Sequence, residues 1–236
     1  MSERYLLLWL EAPLQSWGHD SKFGRRDSLD FPTKSGVLGL LCSARGAAGK
    51  ETEWLAAWAD LDMQVSAFVP QDKQGQPLPR QPLMRDFQMV GSGYDDQDPW
   101  ANLLIPKTRS GKKAVGGGTI MTYRYYLQDV AYAVASQGPA GLLEEAAIAL
   151  ASPVWDVYLG RKCCVPTEFI AQGFYATAEL ALQVAGQLAA DKQRACAFHV
   201  RQGEHEGEVL TLNDVPVQFG EHKKYRDRRV TVQQVE

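Results

Sequence analysis

The chain has 236 residues, 45% of them hydrophobic and 22% charged, enough to bury the core of one large domain or two small ones. A formal net charge of −3 excludes a generally basic nucleic-acid binder, and no apolar run approaches the length of a membrane span. Four cysteines without a C-x-x-C pair exclude a disulfide scaffold and a zinc ribbon, so a cytosolic protein with reduced thiols, no metal and no cofactor is expected.

Residues 5–10, YLLLWL, are apolar at every position, as in a strand covered on both faces. A loop with Gly18, Gly24 and Pro32 leads to a helix expected over 35–44. A second helix over 51–59 sets Trp54, Leu55 and Trp58 on one face. Residues 63–69 read as a strand, 76–82 as a Pro-rich connector and 83–90 as another extended run. Six glycines between 91 and 118 argue against a packed element there. Residues 119–135, rich in Tyr, Thr and Val, read as one long bent strand, so 83–135 should form a projecting hairpin, or thumb, with a basic tip. A helix follows over 139–151, with Leu142, Leu143, Ala146, Ile148 and Leu150 mostly inward and Glu144 and Glu145 outward. Residues 154–159 close the series as a strand.

That order, strand–helix–strand–strand–helix–strand, is an α+β, ferredoxin-like (RRM-like) βαββαβ plan with its middle hairpin enlarged. It assigns residues 1–160 to one domain. Residues 161–236 form a smaller C-terminal, β-rich region with a helix near 176–189 and strands at 197–201 and 209–212.

Charge is unevenly placed. Lys107, Arg109, Lys112, Lys113 and Arg124 fall in a stretch with no acid, and five basic residues between 223 and 229 meet only Asp227. A basic stripe on an acidic body suits a protein that grips one polyanion, although the basic tail alone reads as solvated surface. Three short segments look able to hold phosphates. Lys34-Ser35-Gly36 opens a helix, where free N–H groups gather. Gln15-Ser16-Trp17-Gly18 follows the first strand and offers two donors and a stacking ring, with a buried turn tryptophan as the commoner alternative. Gly160-Arg161-Lys162 ends the last expected strand.

Catalytic signals are thin. The dinucleotide and P-loop spacings are both missing, and no serine or cysteine sits in a nucleophile elbow. Only His19 with Tyr123, Tyr125 and Tyr126 could support metal-independent RNA cleavage, the alternative to a non-catalytic binder.

Together LEAPLQSWG at 10–18, FPTKSGVLGLL at 31–41 and GRKCCVP at 160–166 resemble the CasD subunits of type I-E Cascade, CRISPR-associated proteins of the repeat-associated RNA-binding superfamily. The resemblance implies a ferredoxin-like domain with a thumb and a non-catalytic, assembly role in antiviral defence. Its partners would be the 5′ handle of the CRISPR RNA and the backbone and large subunits of the complex; indirect contact with target DNA is left open. Gln15, Ser16, Trp17, Lys34, Ser35, Gly36, Arg161 and Lys162 would line the handle. Arg85, Lys107, Arg109, Lys112, Lys113 and Arg124 would be thumb contacts.

Overall fold

The fold is a computed structural model that describes residues 4–18, 21, 24–91, 97, 100, 107–112 and 119–235. Its centre is a seven-stranded antiparallel sheet. The first strand, β1 (Arg4–Glu11), lies between β7 (Ala131–Gly138) and β8 (Ala171–Tyr175), and β7 also pairs with β4 (Met63–Pro70). The sheet continues past β4 through β9 (Arg194–Gln202) and β11 (Lys224–Gln234) to β10 (Glu208–Gln218). The C-terminal strands therefore extend the same sheet.

The continuous apolar run of β1 follows from cover on both sides. Leu6, Leu8 and Leu10 enter one core with α1 (Lys34–Ala44), α2 (Thr52–Ala59) and α3 (Ala140–Ala151). Leu7 and Trp9 enter a second core against α4 (Ala178–Asp191), which presents Ala178, Ala181, Ala185 and Ala189 at three- and four-residue spacing. Small side chains let that helix lie close to the sheet.

A second sheet carries the hairpin. Strand β5 (Met84–Val90) pairs with β6 (Ile120–Gln128), which also pairs with the short β2 (Leu14–Gln15) and β3 (Arg25–Arg26).

Three expectations need correction. The extended run 119–135 is two strands in two sheets: Asp129 adopts φ 47° and turns the chain, so β6 belongs to the hairpin and β7 to the core. Asp tolerates that left-handed turn, and nothing in the β-favouring residues around it signals the break. Residues 154–159 do not form a strand. The N–H groups of Val154 and Trp155 bond instead to Ala44 O and Ser43 O at the end of α1, and β8 takes the sheet position beside β1. On α3, Leu143, Ala146 and Leu150 face inward as expected, but Ile148 is 71% exposed.

Candidate nucleic-acid interface

The three segments marked in the sequence meet in space because they pack on one another. Ser16 N donates to Leu159 O at 3.1 Å. Gly160 has φ +93° and lies so close to the Ser16 carbonyl that a Cβ would fall 1.6 Å from its oxygen. Only glycine satisfies both the left-handed backbone and that approach. At the third segment, a Cβ on Gly36 would sit 2.8 Å from the Trp17 ring, so the missing side chain lets the indole lie against the first turn of α1.

Packing this close leaves few of the motif side chains outside. Trp17 is 1% exposed and donates its indole N–H to Gln15 Oε1. Gln15 in turn donates to Leu10 O and Val130 O, at 3.0 and 2.7 Å. Ser16 Oγ donates to Tyr125 O. Expected as RNA donors and a stacking ring, these three side chains instead join β1, β2 and β6. Trp17 follows the commoner fate of a turn tryptophan.

Lys34 is a second correction. Its side chain runs inward and its ammonium donates to Ala59 O and Leu61 O, at 2.9 and 2.6 Å, closing the C-terminal end of α2. Burial, with Arg228 nearby, pushes the Lys34 pKa down to about 8. Nor is the N-terminus of α1 open. Thr33 Oγ1 accepts from Gly36 N, and the Asp214 carboxylate accepts from Lys34 N at 2.7 Å. Asp214, itself buried, is held in two bonds by Arg228, at 2.7 and 2.9 Å. The anion at this helix end is thus one of the protein's own side chains.

Arg161 is also engaged internally. Its guanidinium lies 4.4 Å from the centre of the Tyr126 ring and donates to Tyr125 O and Arg26 O, at 3.1 and 2.8 Å, tying the 160 turn to β6 and β3. Lys162 beside it points to solvent.

What remains exposed borders two adjoining clefts. One, of about 460 Å³, lies between Gly18, Ser35, Gly36, Gly160, Lys223 and Tyr225. The other, of about 550 Å³, shares Gly18, Ser35, Lys223 and Tyr225 and reaches Ser21 and Asn213. Both are nucleotide-sized and mix hydroxyls, glycine backbone, one ammonium and an aromatic ring. Lys223 and Tyr225 lie in the tail that reads as solvated charge from sequence alone. The signal for them was non-local: β10 and β11 must pair before these residues reach the cleft.

The hairpin offers another surface. Cross-strand pairing sets Arg85, Phe87 and Met89 of β5 opposite Tyr125, Tyr123 and Met121 of β6. Phe87 and Tyr123 have ring centres 5.2 Å apart, both exposed, with Arg85 near the Tyr123 ring and Arg25 near that of Tyr125. Arg25 was missed in the sequence because the strand bearing it is two residues long. Arg124 is opposite Asp86, at a position that alternates to the other face. Of the expected tip residues, Lys107, Arg109 and Lys112 are exposed, and Arg109 pairs with Glu221 beside the cleft. Lys113 lies outside the described residues.

The catalytic alternative gains little from this geometry. His19 lies outside the described residues. His199 sits within 2.7 Å of Ser66 Oγ, and His205 Nε2 within 2.9 Å of Gln202 O. Burial raises the Tyr126 pKa, and it pushes Cys42 and Cys196 to about 11 and Cys164 to about 12, away from nucleophilic thiolates. Among the described residues no cluster of three potential metal ligands occurs, and no helix is long and apolar enough to cross a membrane.

Comparison with known proteins adds to this picture. Residues 5–231 match the family model described as CRISPR-associated protein (Cas_Cas5). The chain is 29% identical over 163 residues to the CRISPR system Cascade subunit CasD of Escherichia coli (strain K12), covering 68% of this chain and 66%, just under two thirds, of that relative. Among solved structures it resembles a chain of a CRISPR RNA-guided surveillance complex, with a TM-score of 0.71 and 28% identity over 98% of this chain and 90% of that one. A second likeness, to a crystal structure of a Cas protein, has a TM-score of 0.60 and 25% identity, over 98% of this chain and 94% of that one.

Proposed function

This chain belongs to the CRISPR-associated protein (Cas_Cas5) family, and from that membership we propose that it is a non-catalytic RNA-binding and assembly subunit of a Cascade-type surveillance complex. Its ligand is the 5′ repeat-derived handle of the CRISPR RNA, and its neighbours are the other protein subunits. The strand order β8-β1-β7-β4, all antiparallel and with helices in both crossovers, supports reading the core as ferredoxin-like.

The observation that carries the proposal is the meeting of the three segments at clefts completed by Lys223 and Tyr225. A bent single strand needs cations and backbone donors for phosphates, hydroxyls for the ribose, and rings for unstacked bases. The clefts supply Lys223, Ser35, the glycine-lined turns and Tyr225. Lys162, Lys107 and Lys112 add exposed charge, and the Arg85–Phe87–Tyr123 face of the hairpin extends the path with stacking groups. The buried members of the motifs, Gln15, Ser16, Trp17 and Lys34, together with the half-buried Arg161, act as the frame that holds this surface in shape.

The test is a titration of labelled handle RNA across a salt series, with full-length repeat RNA incubated in parallel in EDTA. Neutralisation of about five phosphates gives a log–log slope near −3.5. Repeat RNA should remain intact. Site-specific cutting in EDTA would establish the endoribonuclease reading instead, and salt-independent binding would remove the phosphate grip.

A further inference from the structure

The face formed by α3 and the end of α1 lies outside the clefts described above and carries apolar groups that the fold holds in the open. Ile148 is 71% exposed in the middle of α3, and Val154 and Trp155 are 63% and 58% exposed just after it. Ile148 and Val154 wall a groove of about 570 Å³, whose other lining includes the small residues Ala44, Gly141 and Ala149. These side chains do not lie on a loose loop. The amides of Val154 and Trp155 are bonded to Ala44 O and Ser43 O, at 2.9 and 3.3 Å, and Ser43 Oγ donates to Asp156 O. Gly46, at φ +70°, lies where a Cβ would fall 2.6 Å from the Val154 side chain. The segment is thus fixed with its apolar groups outward, the preorganisation that a docking surface uses and a core does not need.

The charge beside this groove is negative. Glu144 and Glu145 line it, and exposed Asp156 follows Trp155. Arg45, the one cation among the described residues that line the groove, is already shared between Glu145 and Glu51. Such a border repels a phosphate backbone and attracts a cationic side chain. We infer that this groove is a docking site for another protein subunit, whose docking segment inserts an apolar side chain between Ile148 and Val154 and sets a Lys or Arg against Glu144. The inference rests on the proposed assembly role and adds to it a second face, separate from the RNA.

The test uses the full-length chain and two variants, Ile148→Asp and Glu144→Lys. Each is mixed with handle RNA alone, then with that RNA and the purified protein subunits of the complex. Both positions are exposed, so the variants should melt like the parent. RNA affinity should stay within twofold of the parent for Ile148→Asp, while its incorporation into the assembled complex falls at least tenfold. Glu144→Lys should weaken incorporation less, by about threefold. Unchanged incorporation of Ile148→Asp overturns the inference, as does an equal loss of RNA binding, which would make RNA the occupant. Concentration-dependent dimerisation of the parent that Ile148→Asp abolishes would assign the groove to a second copy and overturn it too. If the parent binds RNA but never joins the other subunits, the assembly role fails and the docking site fails with it; if the parent assembles without binding handle RNA, only the RNA reading fails.

Discussion

The first turn of α1 and the loop that opens β11 border the same cleft, and both carry lysine, yet their charges do opposite jobs. At α1, Lys34, Asp214 and Arg228 are directed inward, to two carbonyls at the end of α2 and to one another. Across the cleft, Lys223 is exposed and lines the opening. A lysine in a glycine-flanked turn is therefore not by itself a phosphate ligand. What decides its role is whether the fold has already given its ammonium a partner.

Perturbing the two sides should separate stability from RNA affinity. The largest effect is expected from Gly160→Ala, which sets a Cβ against the Ser16 carbonyl at a left-handed backbone position; about 4–5 kcal/mol of stability should be lost in denaturant unfolding. Asp214→Ala leaves the buried Arg228 guanidinium unpaired and the first amide of α1 without its acceptor. About 3–4 kcal/mol should disappear in the same assay. Lys34→Met, of similar length but uncharged, should cost about 2 kcal/mol by stranding two carbonyls, while the folded variant binds handle RNA as the parent does. On the rim, Tyr225→Ala should leave the melting temperature almost unchanged and reduce RNA affinity by about 1–2 kcal/mol.

A pH dependence follows from the same lysine. Burial holds the Lys34 pKa at about 8, below its ordinary 10.5, so between those values the unfolded chain binds more protons than the folded one. Stability contributed by this group therefore rises as pH increases from 8 towards 10.5. The difference in unfolding free energy between parent and Lys34→Met should widen across that window, and a difference independent of pH would contradict the burial assigned to the ammonium.

Much of the fold was legible in the residues. The run at 5–10 announced a strand covered on two sides, and the Lys34-Ser35-Gly36 turn before an apolar stretch announced a helix, which starts one residue earlier than expected. The break at Asp129 was not legible, because one left-handed residue between β-favouring neighbours leaves no pattern. Ile148 misled for another reason: an apolar residue on a helix reads as core unless something outside the chain is to cover it. For the site, the sequence located the three turns but not the direction of their side chains. Gly36 and Gly160 are needed for close packing, and that packing withdraws Trp17 from solvent while Arg161 is turned onto the Tyr126 ring and two backbone carbonyls. Lys223 and Tyr225 could not be found locally, since their position depends on the pairing of β10 with β11.

Whether RNA is gripped from the rim of the cleft, as proposed, or from the first turn of α1 is decided by the salt dependence of handle-RNA binding to the parent, Lys34→Met and Lys223→Ala, each measured where it is fully folded. Removing Lys223 should weaken binding and flatten the slope by about 0.7, one single-strand phosphate contact, while Lys34→Met follows the parent line. A flattened slope for Lys34→Met beside an unchanged Lys223→Ala would contradict the proposed grip from the rim.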